Sequence, residues 1–467
     1  MRTRKLPVRS ALLASAAVLA SMPAIALDDA TIADRLKSRF LSDRTGACVV
    51  AAVIEDGKVS KSRFCAQAGR SEPGYQDAFE IGSVTKTMTA FLVADLIANG
   101  KWSLDDPIAD HLPIGTAVPR QGERQILVRD LLTHSSGLPA MPSRMGDADN
   151  ANPYAKLSEE NLLASLADMR LSWPIGSRAE YSNFGMMLVS LAVARAHGND
   201  LEGALRARLF APLGMKTAFI ADQPTGVVRV QGHLPSGRAT PAWDICTSLA
   251  GVGMVKASLD DMVLYAQAEL DAADPELGPR MRQTQQPLAN GWGMNWALPR
   301  AKGRPVVTHE GGTGGFSSLV TLDVPAKRAV VILADTALAN LGGLADLGLT
   351  LLGIDVPARA PRLTQPAPAA LRQALLGAYE VMGTPVRIYE DGAKLMWHDP
   401  EQGALELLYD SAGEFYPVGG EATLRPVVGA DGAIGKVFWH QGGGRLEVVR
   451  RGAAQVPPPR PREAEGR

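Results

Sequence analysis

Little in the 467-residue chain points to a stapled, metal-bound or charge-driven protein. Three cysteines are too few for a disulfide scaffold. The histidines (His111, His134, His197, His233, His309, His398 and His440) show no paired ligand spacing. No glycine-rich stretch is followed by the Lys-Ser/Thr of a phosphate-binding loop. Neither a metal nor a cofactor is therefore expected. A formal net charge of −1 leaves no basic surface for nucleic acid or for a polybasic membrane contact. What remains is ordinary for a globular protein: 46% hydrophobic and 21% charged residues, in a length that suits a large domain plus a smaller one.

Long apolar runs are scarce too. Basic residues through Arg9, an apolar stretch from Ala11 to Ala20 and the small-x-small sequence Ala24-Ile25-Ala26 predict a secretory signal over 1–26, cleaved after Ala26. The protein is then expected in the periplasm or outside the cell. No later stretch is long and apolar enough to cross a bilayer.

Export makes a disulfide chemically reasonable. Cys48 and Cys65 flank Glu55-Asp56-Gly57-Lys58, and Asp-Gly is a two-residue hairpin signal. Pairing Glu55 with Lys58 sets Cys48 opposite Cys65, where cross-strand side chains approach closely. Cys246 is left over and reads as a small buried residue.

The chemistry centres on Phe79-Glu80-Ile81-Gly82-Ser83-Val84-Thr85-Lys86. Apolar residues at helical spacing follow as far as Ile97, and Asn99-Gly100 stops the helix. Ser83 then lies near the first turn with Lys86 three residues on, over the same face. A serine hydroxyl needs a base to become a nucleophile, and an uncharged Lys86 could be that base. The helix dipole and partial burial would both push its pKa down. The bland alternative is an N-cap serine followed by a solvated lysine.

Two further stretches bear on this choice. Tyr181-Ser182-Asn183 offers a phenol that could act as a base if a cation such as Lys86 stabilised its phenolate. Its asparagine could grip a substrate amide and the lysine together; a buried tyrosine beside an N-cap is the structural reading. His309-Glu310-Gly311-Gly312-Thr313-Gly314-Gly315-Phe316 is a glycine-dense strand that a substrate backbone could approach, with an N–H to spare for an oxyanion. Gly82-Ser83-Val84-Thr85 lacks the glycine of an α/β-hydrolase elbow. His134 reads as a histidine bracing a loop or the core.

In order, the pattern predicts a helix over Thr31 to Phe40, the Cys48 to Cys65 hairpin and a helix-rich middle. Strands follow at Val306 to His309, Leu319 to Leu322 and Ala329 to Leu333, then a last helix over Leu338 to Leu352. Hairpin, helices, strands and helix imply one sheet assembled from both ends of a domain, with a helical region inserted. Residues 355–370 read as a proline-rich linker, 371–453 as a small β-rich domain, and 454–467 as a disordered tail.

The three motifs, in this order, resemble the serine β-lactamase and penicillin-binding-protein family. Phe79 to Lys86 is similar to the class C β-lactamase active-site motif, departing at Thr85, where serine or alanine is usual. Tyr181-Ser182-Asn183 resembles its Tyr-x-Asn element, and His309 to Phe316 the His-x-Gly form of the third motif. The resemblance implies an α+β fold over 27–354: an antiparallel sheet flanked by helices, with a helical subdomain. It implies Ser83 as nucleophile, Lys86 and Tyr181 as the proton-transfer pair, and Asn183, His309 and Gly311 against the substrate. The N–H groups of Ser83 and Gly312 would form the oxyanion hole. His309 stands where class C β-lactamases carry the lysine of Lys-Thr-Gly, as in some D-alanyl-D-alanine carboxypeptidases, D-aminopeptidases and esterases. The implied substrates are β-lactams, D-amino-acid peptides or esters. The C-terminal part resembles the small β-barrels appended to some of these relatives, and a poorly catalytic penicillin-binding sensor is the rival reading.

Overall fold

The computed structural model describes residues 27–452, apart from 147–150, 272–273, 401–402, 419–421, 430–432 and 442–443. The expected signal segment and C-terminal tail lie outside the described residues.

Helix α1 (Asp29–Phe40) starts where the Asp28 carboxylate accepts the Thr31 N–H at 2.8 Å. Strands β1 (Cys48–Glu55) and β2 (Lys58–Cys65) turn on Asp56-Gly57, both at positive φ, as a tight hairpin requires. The register sets Cys48 opposite Cys65, with Cα atoms 4.0 Å apart and the two sulfurs joined.

After the helical insertion come β3 (Val307–Gly312), β4 (Ser317–Asp323) and β5 (Arg328–Ala334). The sheet runs β2-β1-β5-β4-β3, antiparallel throughout, so both ends of the domain build it and β3 is an edge. Strand periodicity divides its apolar residues between two cores. Val49, Ala51, Val53, Val330 and Ile332 pack on α1 and the last helix through Ile32, Leu36, Phe40 and Leu351. Val50, Ala52, Ile54, Val331 and Leu333 face the helical region. In that region α2 (Thr85–Ala98) and α3 (Asn183–Ala196) are buried almost all round, which explains why both are apolar on every face.

Two expectations need correction. The apolar pattern over Leu338 to Leu352 is not one helix but a 3-10 turn, Ala339–Leu341, and a helix, Ala345–Leu351. Gly342 (φ 98°) and Gly343 (φ 67°) break it in left-handed conformations. Cys246 is exposed, not buried, because it sits in the loop that leads into the 3-10 turn Thr247–Val252. Within the expected linker 355–370, Thr364–Gln365 pairs with Tyr409 and Asp410, and a helix starts at Ala369.

The C-terminal part is a closed up-and-down barrel of eight antiparallel strands, from Gly377–Val381 to Gly444–Gly452. Side chains fill it, with Trp397 and Trp439 stacked 4.6 Å apart. Arg44 of the first domain and Arg362 both bond the fully buried Asp410 carboxylate, at 3.0 and 3.1 Å, and so tie the barrel on.

Candidate active site

The site forms where the start of α2 meets the edge strand β3. Ser83 lies in a 3-10 turn, Gly82–Val84, that runs into the helix, so no intrahelical carbonyl precedes its N–H. Glycine is required on both sides of this meeting. Gly82 has φ 49°, and a Cβ there would lie 2.5 Å from the Gly312 nitrogen. A Cβ at Gly311 would lie 2.0 Å from the Ile81 carbonyl oxygen. Bare backbone thus brings Ser83 and Gly312 to the same hollow. This hollow of about 340 Å³ is lined by Ser83, Tyr181, Glu310, Gly311, Gly312 and Ser317, among others.

Lys86 Nζ lies 2.8 Å from Ser83 Oγ and donates to the Val252 carbonyl at 2.6 Å. The side chain is fully buried, with no carboxylate offsetting its charge, and burial drives its pKa well below the ordinary 10.5. An uncharged amine suits this geometry: one N–H goes to Val252 and the lone pair is left for the serine proton.

Tyr181 faces the hollow beside Ser83, and its ring centroid lies 5.0 Å from Lys86 Nζ. The protein packed around the hydroxyl raises its pKa above 10, although 37% of the residue's surface stays open to the cleft. With Lys86 uncharged, no cation stabilises a Tyr181 phenolate, and the raised pKa favours the protonated phenol. Asn183 does not bond Lys86. Its amide reaches the Tyr154 hydroxyl at 3.4 Å and the Met141 sulfur at 3.6 Å, while the Val252 carbonyl takes the place expected for Asn183 beside Lys86.

His309 is buried, with Nδ1 2.5 Å from the Asn295 carbonyl. Burial lowers its pKa, to about 3 when Lys86 is also charged, while the Asn295 bond opposes the shift. It offers no positive charge at neutral pH. Glu310, next along the strand, points elsewhere: its carboxylate accepts the Leu344 N–H beyond the broken helix.

His134 does brace. Its Nδ1 accepts the Ser182 N–H at 3.3 Å, which puts its proton on Nε2, and its ring packs 4.4 Å from Tyr181 and 4.8 Å from Trp292. The Val252 and Asn295 carbonyls and the Trp292 ring were not anticipated from sequence. Backbone carbonyls leave no sequence signal, whereas two tryptophans, Trp292 and Trp296, just before the third motif were a legible one. Among the described residues, no group of three or more His, Cys, Asp or Glu side chains could hold a metal ion.

Comparison with known proteins identifies the family. The chain is 29% identical over 331 residues to penicillin-binding protein 4 of Amycolatopsis lactamdurans, covering 65% of this chain and 85% of that protein. It is 25% identical over 329 residues to the D-alanyl-D-alanine-carboxypeptidase/endopeptidase AmpH of Escherichia coli, covering 65% and 83%. It is 32% identical over 217 residues to esterase EstB of Burkholderia gladioli, covering 43% and 55%. Among solved structures, SurE has a TM-score of 0.55 at 24% identity, over 90% of this chain and 98% of that one. The β-lactamase/D-alanine carboxypeptidase of Yersinia pestis, complexed with citrate, has a TM-score of 0.57 at 21% identity, over 70% and 99%. The SurE likeness extends across the barrel, and both establish the fold. Residues 30–351 match the sequence profile of the family described as Beta-lactamase, and the chain belongs to that family of serine hydrolases.

Proposed function

We propose that the protein is an exported serine hydrolase that opens amide, lactam or ester carbonyls through an acyl-enzyme on Ser83, with D-amino-acid peptides as its main substrates. The observation that carries this reading is the buried, uncompensated Lys86 amine 2.8 Å from Ser83 Oγ. Lys86 takes the serine proton as Oγ attacks, and the Ser83 and Gly312 N–H groups receive the oxyanion. The neutral Tyr181 hydroxyl hands a proton to the leaving group and regains one from Lys86. Water then attacks the acyl-enzyme by the same route. The names of AmpH and penicillin-binding protein 4 support a peptide or β-lactam substrate. Because His309 cannot supply the cation that a lysine would, acylation by β-lactams is expected to outrun their turnover.

The discriminating experiment labels the protein with a fluorescent penicillin and measures turnover of nitrocefin, p-nitrophenyl esters and D-alanyl peptides side by side. Wild type should label and Ser83→Ala should not; labelling that survives the substitution removes Ser83 as nucleophile, and an unlabelled wild type favours a binding role. A second reading, an esterase, is favoured by the uncharged His309, which leaves the inner site without a cation for a substrate carboxylate. Ester turnover without peptide turnover would select it. Export carries its own check: a thiol count under denaturing, non-reducing conditions should find Cys246 alone, and a count of three would exclude the Cys48–Cys65 bond.

A further inference from the structure

The Val252 carbonyl beneath Lys86 is itself held by buried hydroxyls from two helices. It ends the 3-10 turn Thr247–Val252. Ser190 is the one polar side chain in the buried run 184–194 of α3, seven residues past Asn183 and so on the same face of that helix. Its Oγ donates to the Ser248 carbonyl at 2.7 Å and accepts the Gly251 N–H at 2.9 Å, which spans the turn. From α2, Thr89 donates to the Gly251 carbonyl at 2.8 Å. Four residues earlier on the same face, Thr85 accepts the Val255 N–H at 3.2 Å. Thr85 is the position at which the first motif departs from the class C pattern. All three hydroxyl side chains are fully buried. Glycine lets two of them close on the turn: a Cβ at Gly251 would lie 2.6 Å from Thr89 Oγ1 and 2.8 Å from Ser190 Oγ.

Helix propensity does not explain these residues, since threonine and serine are poor choices for a helix interior and a buried hydroxyl needs a partner. Their partners lie on the turn that seats the base. Among the described residues, Lys86 Nζ bonds Ser83 and Val252 alone. The titratable groups that face it, Tyr181, His134 and His309, bring no negative charge at neutral pH, because burial raises the phenol and lowers both imidazoles. One backbone carbonyl therefore orients the amine. Where that carbonyl sits decides where the lone pair points.

We propose that Ser190, Thr89 and Thr85 are positioning residues: their hydroxyls lock the 247–255 segment so that the Val252 carbonyl takes one N–H of Lys86 and leaves the amine aimed at Ser83. The turn then joins the helix of the nucleophile to the helix of the second motif, and it does the work that the sequence assigned to Asn183. The proposal deepens the serine-hydrolase reading above, on which its kinetic test rests.

The test measures acylation by a fluorescent penicillin as a function of concentration and pH. Thr89→Val removes a hydroxyl at nearly constant shape, whereas Thr89→Ser keeps the hydroxyl and loses a methyl group. Ser190→Ala and Thr89→Val should lower the limiting acylation rate by about tenfold or more, with half-saturation within about twofold of wild type. Thr89→Ser should stay within about threefold, and Thr85→Val should have the smallest effect of the hydroxyl deletions. In Ser190→Ala and Thr89→Val the acid limb of the pH profile should also move up by about half a pH unit or more, because water drawn in by the freed backbone groups favours the ammonium. Wild-type acylation in both deletions overturns the clamp. So does a Thr89→Ser variant as slow as Thr89→Val, which would make packing rather than the hydroxyl the cause. If Ser190→Ala does not fold, the Thr89 pair carries the comparison alone. A second readout is independent of activity: in protein made with isotope-labelled lysine, the Lys86 Cε resonance, assigned by its loss in Lys86→Met, should titrate at higher pH in the deletions than in wild type. If penicillin labels no form of the protein, the hydrolase reading has failed and this titration decides; an unchanged Lys86 titration in Ser190→Ala and Thr89→Val overturns the clamp.

Discussion

Two regions bury a lysine, and they do so in opposite ways. At the floor of the Ser83 hollow, Lys86 touches a hydroxyl and a carbonyl and has no acid to offset its charge. Beneath the strand that leads into that hollow, Lys256 donates to the Ile220 and Trp243 carbonyls and lies in register opposite Glu80, whose charge opposes the loss of its proton. Glu80 in turn accepts the Trp243 N–H. Both amines are lowered by burial, but only Lys256 has a compensating charge. The nearby charge of Glu80 helps keep Lys256 a structural cation that fixes the approach to Ser83, and the absence of such a charge leaves Lys86 a neutral amine able to accept a proton.

The largest expected effect comes from breaking the uncompensated side. Lys86→Met should reduce acylation of Ser83 by roughly 10³-fold or more, since the serine loses its base. Its unfolding free energy should not fall. Lys86 has a folded pKa below its unfolded 10.5, so its favourable contribution is complete only above that pH and is lost as pH drops. At neutral pH the unfolded chain holds a proton that the folded chain excludes, and the lysine costs stability. Penicillin-labelling rates and urea melts check both halves, and a variant that loses several kcal/mol would show Lys86 to be a structural cation like Lys256.

Lys256→Met should show the reverse. Removing this cation leaves the buried Glu80 with only Arg229 and the Trp243 N–H to support its charge, at a cost of about 1–3 kcal/mol, while the folded fraction should keep activity within about tenfold of wild type. Adding Glu80→Gln should recover most of the stability, because the orphaned charge goes with it. A double variant no more stable than the single one would show that the two groups are not energetically paired.

Sequence told these lysines apart only in part. Lys86 was legible because its partner lies three residues away on a helix, in a motif whose chemistry follows from local geometry. Glu80 and Lys256 are 176 residues apart, and nothing near either names the other. The same distinction runs through the fold. The hairpin register and Cys48 opposite Cys65 follow from one Asp-Gly turn, as does the sheet built from both ends of the domain from element order. The break at Gly342-Gly343 was hidden inside an apolar pattern that fits a helix, because those residues answer to Glu310 and Arg359 rather than to their neighbours. The carbonyls of Val252 and Asn295, which set Lys86 and His309, could not be read at all, since every residue has one.

His309 extends the comparison to a second buried base without an acid, with a smaller expected effect. Its folded pKa of about 3 lies below the unfolded 6.5, so its contribution is complete above pH 6.5 and is lost as pH falls toward 3. By pH 4 the difference is on the order of 3 kcal/mol, at about 1.4 kcal/mol per unit of pH. His134, also lowered by burial, adds in the same direction. Urea melts from pH 7 to pH 4 should show that decline, and His309→Gln should flatten it. The imidazole resonance of His309 should stay unchanged down to about pH 4. Titration near pH 6.5 instead would mean that the ring is charged in the folded site, and that the third motif can hold a substrate carboxylate.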